Sequence, residues 1–393
     1  MKNKINNNNG AKMKKTIKNK KDGKITQEFH NNGQLKSKVL KRQGKREGLY
    51  EFFDENGQLI EKGQYKNGKM DGVWEKYLSY KTGSGSSISI LINRENWKDG
   101  EKNSYWEEFY PNGKISTRVN YKNDKRDGAF ESFFQEGPLM ERGQFKNGEK
   151  DGSWKFYYQN GQTRTKSTYK NGQEDGLFET YEFGFLAVKE NYKKGKKEGL
   201  EEKYYRPGKI ISRINFKDGK RDGAFESFFR EGPLMERGQF KNGEKDGLWE
   251  GFYQGGQLKL KQNYENNHLE GCSEFFHRNG LIFSRINFKK GKKDGLYEEF
   301  DENGVLRKLE NYKGLLLDGF STLFSSRGEL HVRGNWSKGS KIGLFEHYRA
   351  GRLYETWEWQ DGKGNEWKDG VKIELTIYEE DYCDDEIKDD LPF

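Results

Sequence analysis

Residues 126–152 read RDGAFESFFQEGPLMERGQFKNGEKDG and residues 221–247 read RDGAFESFFREGPLMERGQFKNGEKDG, differing only at Gln135 and Arg230. Two such passages 95 residues apart mark a chain built by internal duplication, so the register inside them sets the reading of everything else. The Gly that follows an acidic residue is a convenient anchor. It recurs as Gly48, Gly72, Gly128, Gly152, Gly176, Gly199, Gly223, Gly247, Gly271, Gly295 and Gly319, spaced by 24 residues except for one step of 23 and one gap of 56. That gap holds a unit anchored at Ser104 and an eight-residue insertion at 81–88. Gly343 continues the register and Gly23 opens a looser first unit, for about fourteen units.

Aromatic residues keep fixed places relative to the anchor. Five positions after it stand Phe53, Tyr77, Phe109, Phe133, Tyr157, Tyr181, Tyr204, Phe228, Phe252, Phe276, Phe300, Phe324 and Tyr348. Seven before it stand Tyr65, Trp97, Tyr121, Phe145, Tyr169, Tyr192, Phe216, Phe240, Tyr264, Phe288, Tyr312 and Trp336. A third series two after the anchor, which includes Trp74, Phe130, Trp154 and Trp249, is interrupted by Glu201, Ser273 and Ser321. The fold is therefore expected to rest on the first two series and on the anchor glycines.

Each unit carries two turn signals. Pairs such as Asn56-Gly57 and Asn303-Gly304 close one hairpin, and Asn67-Gly68, Asn147-Gly148 or Lys290-Gly291 lead into the next. The stretches between are aromatic and poor in Pro, which reads as strand. The fold class expected is all-β, an elongated array of 24-residue antiparallel hairpins forming a twisted ribbon-like sheet. A three-residue loop with Gly in the left-handed conformation would turn positions 5, 11 and 17 after the anchor to one face, including Leu59, Leu139 and Leu234, and make one continuous apolar stripe.

Composition fits a thin sheet. Charged residues make 34% of the chain and hydrophobic ones 31%, too lean for a large spherical core, while aromatics at 15% argue against disorder. The domain plan is a basic Asn/Lys-rich segment at 1–22 expected to lack structure, the array at 23–353, a cap at 354–378 and an acidic tail at 379–393. No secretory signal or apolar run of membrane-spanning length is visible, and Cys272 and Cys383 suggest no disulfide framework. A cytoplasmic location is expected.

No catalytic constellation stands out. His30, His268, His277, His331 and His347 are scattered and suggest strand surface rather than metal, so no metal and no cofactor are expected. The carboxylates before the anchors, Glu47, Asp71, Asp127, Asp151, Asp175, Glu198, Asp222, Asp246, Glu270, Asp294 and Asp318, are like groups in a row. A catalytic site needs unlike groups that converge, so these read as turn carboxylates that bond their own backbone. Lys alternating with Tyr and Phe could stack single-stranded nucleic acid, but each Lys has an acidic neighbour and nucleic-acid binding is not favoured. Lys2 to Lys24 could contact an anionic membrane, though without apolar anchors.

The segment Tyr/Phe-Lys-Asn/Asp-Gly-Lys-x-Asp-Gly-x-Trp/Phe, seen at Tyr65 to Trp74, Phe216 to Phe225 and Phe240 to Trp249, resembles the MORN repeat, and more closely its bacterial variant in proteins labelled antitoxin-like. The resemblance spans roughly residues 23–370 and implies a β-hairpin scaffold, in some members linked to membranes, dimerisation or toxin neutralisation. The chain departs from the standard repeat in its aromatic residue two after the anchor and its 24-residue period. Three readings follow: a non-enzymatic scaffold binding a protein partner of unknown identity, an antitoxin or immunity protein, and a peripheral membrane protein.

Overall fold

The computed structural model describes residues 14–19, 23–81, 87–205, 208–360, 363–368 and 371–374. The chain divides into two units, Met1–Gly208 and Lys209–Phe393. Every described element in both is a β-strand, and the pairings within each unit are antiparallel between strands close in chain order. In the first unit Lys125–Phe133 pairs with Leu139–Lys146, which pairs with Glu149–Tyr157, which pairs with Thr163–Lys170. The second repeats the scheme, with Lys220–Phe228 on Leu234–Lys241 and Gly247–Phe252 on Leu258–Glu265. The all-β hairpin array is the observed fold.

The two turns differ as their sequences require. At the first, Asp54 N–H donates to the Gln58 carbonyl at 2.9 Å and Gly57 N–H to the Asp54 carbonyl at 3.0 Å, leaving a three-residue loop with Gly57 at φ 80°. At the second, Asn67 and Gly68 have φ of 51° and 88°, two positive values in succession, which is the type I′ signature. The anchor sits in a ladder irregularity: Val119 pairs with Phe130 and Tyr121 with Arg126, so residues 127–129 face one residue, Asn120. Gly48, Gly72, Gly128, Gly152, Gly176, Gly223, Gly247, Gly271 and Gly295 all have φ between 69° and 112°. Ser104 holds the same conformation at φ 68°, where a Cβ is strained.

The single apolar stripe is not what forms. The loop has the expected three residues, but one step inside it Phe133 pairs with Leu139 while Ser132 pairs with Glu141, leaving Met140 as a bulge. The same shift separates Phe53–Leu59 from Phe52–Glu61 and Phe228–Leu234 from Ser227–Glu236. A one-residue bulge reverses the alternation, so positions 5 and 17 after the anchor face opposite sides. The sheet has two chemically distinct faces.

Two further expectations meet the structure at the margins. Within the segment 1–22, expected to lack structure, Lys14–Asn19 is a strand paired with Gly23–Phe29 through Ile17 opposite Ile25. The insertion at 81–88 lengthens a hairpin: Gly72–Lys81 and Ser87–Lys98 add the pairs Leu78–Ile90, Ser79–Ser89, Tyr80–Ile88 and Lys81–Ser87. Arg352–Gln360, Lys363–Lys368 and Val371–Glu374 continue the meander over the expected cap. The tail at 379–393 lies outside the described residues.

Candidate interaction surfaces

One face is an aromatic spine. In the first unit Phe130, Phe145 and Trp154 pack at centroid distances of 5.2 to 5.5 Å, and Trp154 is fully buried. In the second, Phe225, Phe240 and Trp249 repeat the arrangement at 5.1 to 5.6 Å. Each edge-on ring contact adds roughly 0.5–1.5 kcal/mol beyond its burial. A basic residue two before the anchor closes the spine from above: Lys150 Nζ lies 3.9 Å from the Trp154 ring centroid, and Lys245 lies 3.9 Å from that of Trp249. The indole N–H groups of Trp74, Trp154 and Trp249 donate to the carbonyls of Gln64, Gln144 and Gln239.

In four repeats a glycine nine before the anchor makes room for the large ring two after it. A Cβ on Gly63, Gly143, Gly238 or Gly334 would lie 2.1, 2.2, 2.3 or 2.5 Å from Trp74, Trp154, Trp249 or Phe345. Where that residue is Val119, Ile214 or Ile286, the partner is the smaller ring of Phe130, Phe225 or Tyr297. Where the aromatic series breaks, polar pairs replace the ring. Lys197 bridges Glu190 and Glu201, and Ser321 Oγ donates to Glu310 at 3.4 Å. The Glu190 charge and burial together push the Tyr192 phenol up to about 12, burial contributing most.

The other face is an ion ladder. A basic residue ten before the anchor meets the Glu three after it, and several bridge two repeats. Arg94 contacts Glu75 at 3.0 Å and Glu107 at 3.3 Å; Arg118 contacts Glu107 at 3.0 Å and Glu131 at 3.6 Å. In the second unit Arg285 lies between Glu274 at 3.3 Å and Glu298 at 3.7 Å. The same cations cover the aromatic residue five after the anchor, as Arg94 over Phe109, Arg142 over Tyr157 and Arg213 over Phe228. Partial burial would raise the pKa of Glu75, but hydrogen bonds from Lys62, Tyr77 and Arg94 outweigh it and lower the carboxyl to about 2.

The row of anchor carboxylates has a structural task that differs from the one expected. Rather than bonding their own turn, several reach a following type I′ turn about twenty residues on. Glu47 accepts from Asn67 N–H at 2.8 Å, Asp127 from Asn147 at 3.1 Å, Asp222 from Asn242 at 3.0 Å and Glu270 from Lys290 at 2.7 Å. At the opposite hairpin end, Tyr110 Oη donates to the Phe133 carbonyl at 2.7 Å, and Asn112 Nδ2 to that of Gln135 at 2.9 Å. His277 Nε2 and the Phe300 carbonyl make an equivalent contact at 3.1 Å. Both hairpin ends are thus stapled to their neighbours. Among the described residues no group of three or more His, Cys, Asp or Glu could hold a metal ion.

The aromatics selected from sequence divide between the faces. Phe53, Tyr77, Phe109, Phe133, Tyr157, Tyr181, Phe228, Phe252, Phe276 and Phe300 are half-buried, and Tyr65, Phe145 and Phe240 belong to the spine. The deepest burial falls two after the anchor, at Trp74, Trp154 and Trp249, the series ranked lowest because of its breaks. Gly63, Gly143, Gly238 and Gly334 were missed. Their signal was a glycine inside a strand with a bulky ring eleven residues on.

Residues 46–67, 102–123, 150–171, 197–218, 245–266 and 293–313 match the MORN repeat variant, in every second unit of the register. This is a MORN-variant repeat protein. The intervening units of the MORN-variant array keep the anchor glycine in its positive-φ conformation, at Gly72, Gly128, Gly176, Gly223, Gly271 and Gly319. Comparison with curated proteins gives no match. Among solved structures, the crystal structure of TcdB2-TccC3 without its hypervariable C-terminal region aligns at 10% identity and a TM-score of 0.15, which carries no argument. The alignment covers 92% of this chain and 24% of that one, so the chain spans about a quarter of its length. Among the described residues no helix is long and apolar enough to cross a membrane.

Proposed function

We propose that this protein is a non-enzymatic scaffold that binds another protein along its ion-ladder face. The supporting observation is a periodic row of exposed apolar residues directly after the anchors. In the first unit Leu49, Val73 and Tyr105 are 48–52% exposed, with Leu177 and Leu200 in the same position. In the second, Leu248, Phe320 and Leu344 continue the row. Tyr105 and Ala129 line one shallow depression with Glu107, Arg118 and Glu131, which places the apolar row beside the ladder. A repeated apolar edge beside fixed, paired charges suits an extended protein surface, since the apolar groups supply association energy and the charges fix register.

The test is capture with the wild-type chain and with a variant carrying Leu49→Ser, Val73→Ser, Tyr105→Ser and Leu177→Ser, none of which enters the spine. The expected result is a protein retained by the wild type, lost by the variant, and bound directly by the purified wild-type chain in calorimetry. Equal retention by both chains would overturn the proposal. So would a substrate turned over by the purified protein and spared after a single substitution.

A further inference from the structure

On the ladder face of the first unit the alternation of charge breaks at one place. From Gly48 to Gly343 the residue three after each anchor is Glu except at Lys155 and Thr322. At Thr322 the ladder adjusts: its cross-strand neighbour on one side is Leu309, and Arg333 on the other side is held by Glu346. At Lys155 nothing adjusts. The strand on one side sets Arg142 directly opposite it, and the strand on the other sets Lys166. Like charges in such positions destabilise a sheet.

The carboxylates on either side are already engaged. Glu131 contacts Arg118 at 3.6 Å and Glu179 contacts Lys166 at 3.3 Å. Among the described residues Arg142 and Lys155 have no ion-pair partner, and the Arg142 guanidinium lies 5.9 Å from the Tyr157 ring centroid. Two residues before Lys155 on the same face stands the exposed Ser153, opposite Thr168. The second unit supplies an internal control. Just past its copy of the duplicated passage, Leu248, Glu250 and Asn263 stand where the first unit has Ser153, Lys155 and Thr168, and Glu250 contacts Arg237 at 2.5 Å.

We propose that Arg142, Lys155 and Ser153 receive a phosphorylated side chain of the protein that docks on the ladder face, an inference that rests on that docking. Two cations without partners balance a phosphomonoester, which carries about −1.5 to −2 charges at neutral pH, and its three oxygens also accept from the hydroxyl. In the repeats on either side Glu131 and Glu179 stand between the cations, so the unbalanced charge is a single point. That suits one dianion rather than the continuous charge of a nucleic acid. The exposed apolar row also dips here, to Ala129 and Ser153 between Tyr105 and Leu177, which leaves height for a tetrahedral group between two apolar contacts.

The experiment titrates the full chain with a short fluorescent peptide carrying one central phosphoserine, and with the same peptide carrying serine, read by anisotropy. The phosphopeptide is expected to bind about ten-fold more tightly. Lys155→Glu removes that preference; because it restores the Arg237–Glu250 arrangement it should raise the denaturant midpoint, so unfolding does not explain the loss. Leu248→Ser with Glu250→Lys rebuilds the site in the second unit and adds a second binding event. Equal wild-type affinity for the two peptides, or a preference kept by Lys155→Glu, would overturn the proposal. So would Lys155-dependent binding to phosphatidic-acid vesicles without a preference for the phosphopeptide, which would assign the site to a membrane. A partner captured by the wild-type chain and held equally by Lys155→Glu overturns this inference and leaves the scaffold reading standing.

Discussion

At the residue scale, the pairing of a strand glycine with a bulky ring governs the spine. Gly143→Val would drive two methyl groups into Trp154 and is expected to cost about 3 kcal/mol. Adding Trp154→Phe recreates the Val119–Phe130 combination that another repeat already uses. The double variant should therefore recover part of the loss, with a coupling of at least roughly 1 kcal/mol in a denaturant double-mutant cycle. Simple additivity would show that the two positions do not share space. Sequence displayed the anchor glycines because positive φ recurs with an acidic neighbour. It hid Gly63 and Gly143 because their constraint comes from a side chain eleven residues away, which no local pattern expresses.

At the element scale, the hairpin is a register device. Turn lengths were legible because Asn-Gly and Lys-Gly announce positive φ, and the three-residue loop formed as read. The bulge at Met140 was not, since it is a property of pairing rather than of residue type. Its omission inverted the faces: the Phe133 position was placed with Phe145, whereas the structure puts one on the ladder and the other in the spine. Deleting Met140 removes the extra residue and asks either Leu139 or Phe145 to change faces. The expected outcome is loss of the near-ultraviolet dichroism of Trp154 and of cooperative unfolding in the first unit. A folded variant with native dichroism would show that the bulge is dispensable.

At the scale of the whole molecule, the ladder ties stability to pH. Hydrogen bonds and nearby cations, opposed by burial, hold Glu75 near 2 and lower Glu179, Glu201 and Glu346 below the ordinary carboxylate value of 4.5. A carboxyl whose folded pKa is depressed stabilises the fold fully above its unfolded pKa, and that contribution disappears as pH falls toward the folded value. Denaturant midpoints should therefore fall between about pH 5 and pH 2. Glu75→Gln should lower the midpoint at pH 7 and flatten that acid slope in the first unit. An unchanged slope would assign the acid sensitivity to other carboxylates. Burial raises Glu61 instead, which works weakly in the opposite sense. That the anchor carboxylates lack a converging catalytic set was legible from their being like groups in a row; the ion ladder was not, because its pairs depend on the strand register.

The staples from anchor carboxylates to a following turn have a consequence for how such a gene changes length. Because the Asp127–Asn147 contact recurs as Asp222–Asn242, a block copied or lost in whole repeats meets the same bonding pattern at both of its junctions. Recombination between repeats then keeps this staple, and the product packs wherever the residue nine before the junction's anchor still suits the ring two after it. The twin passages at 126–152 and 221–247 are what such tolerance leaves behind: their only difference, Gln135 against Arg230, falls at an exposed hairpin tip where either side chain is accommodated.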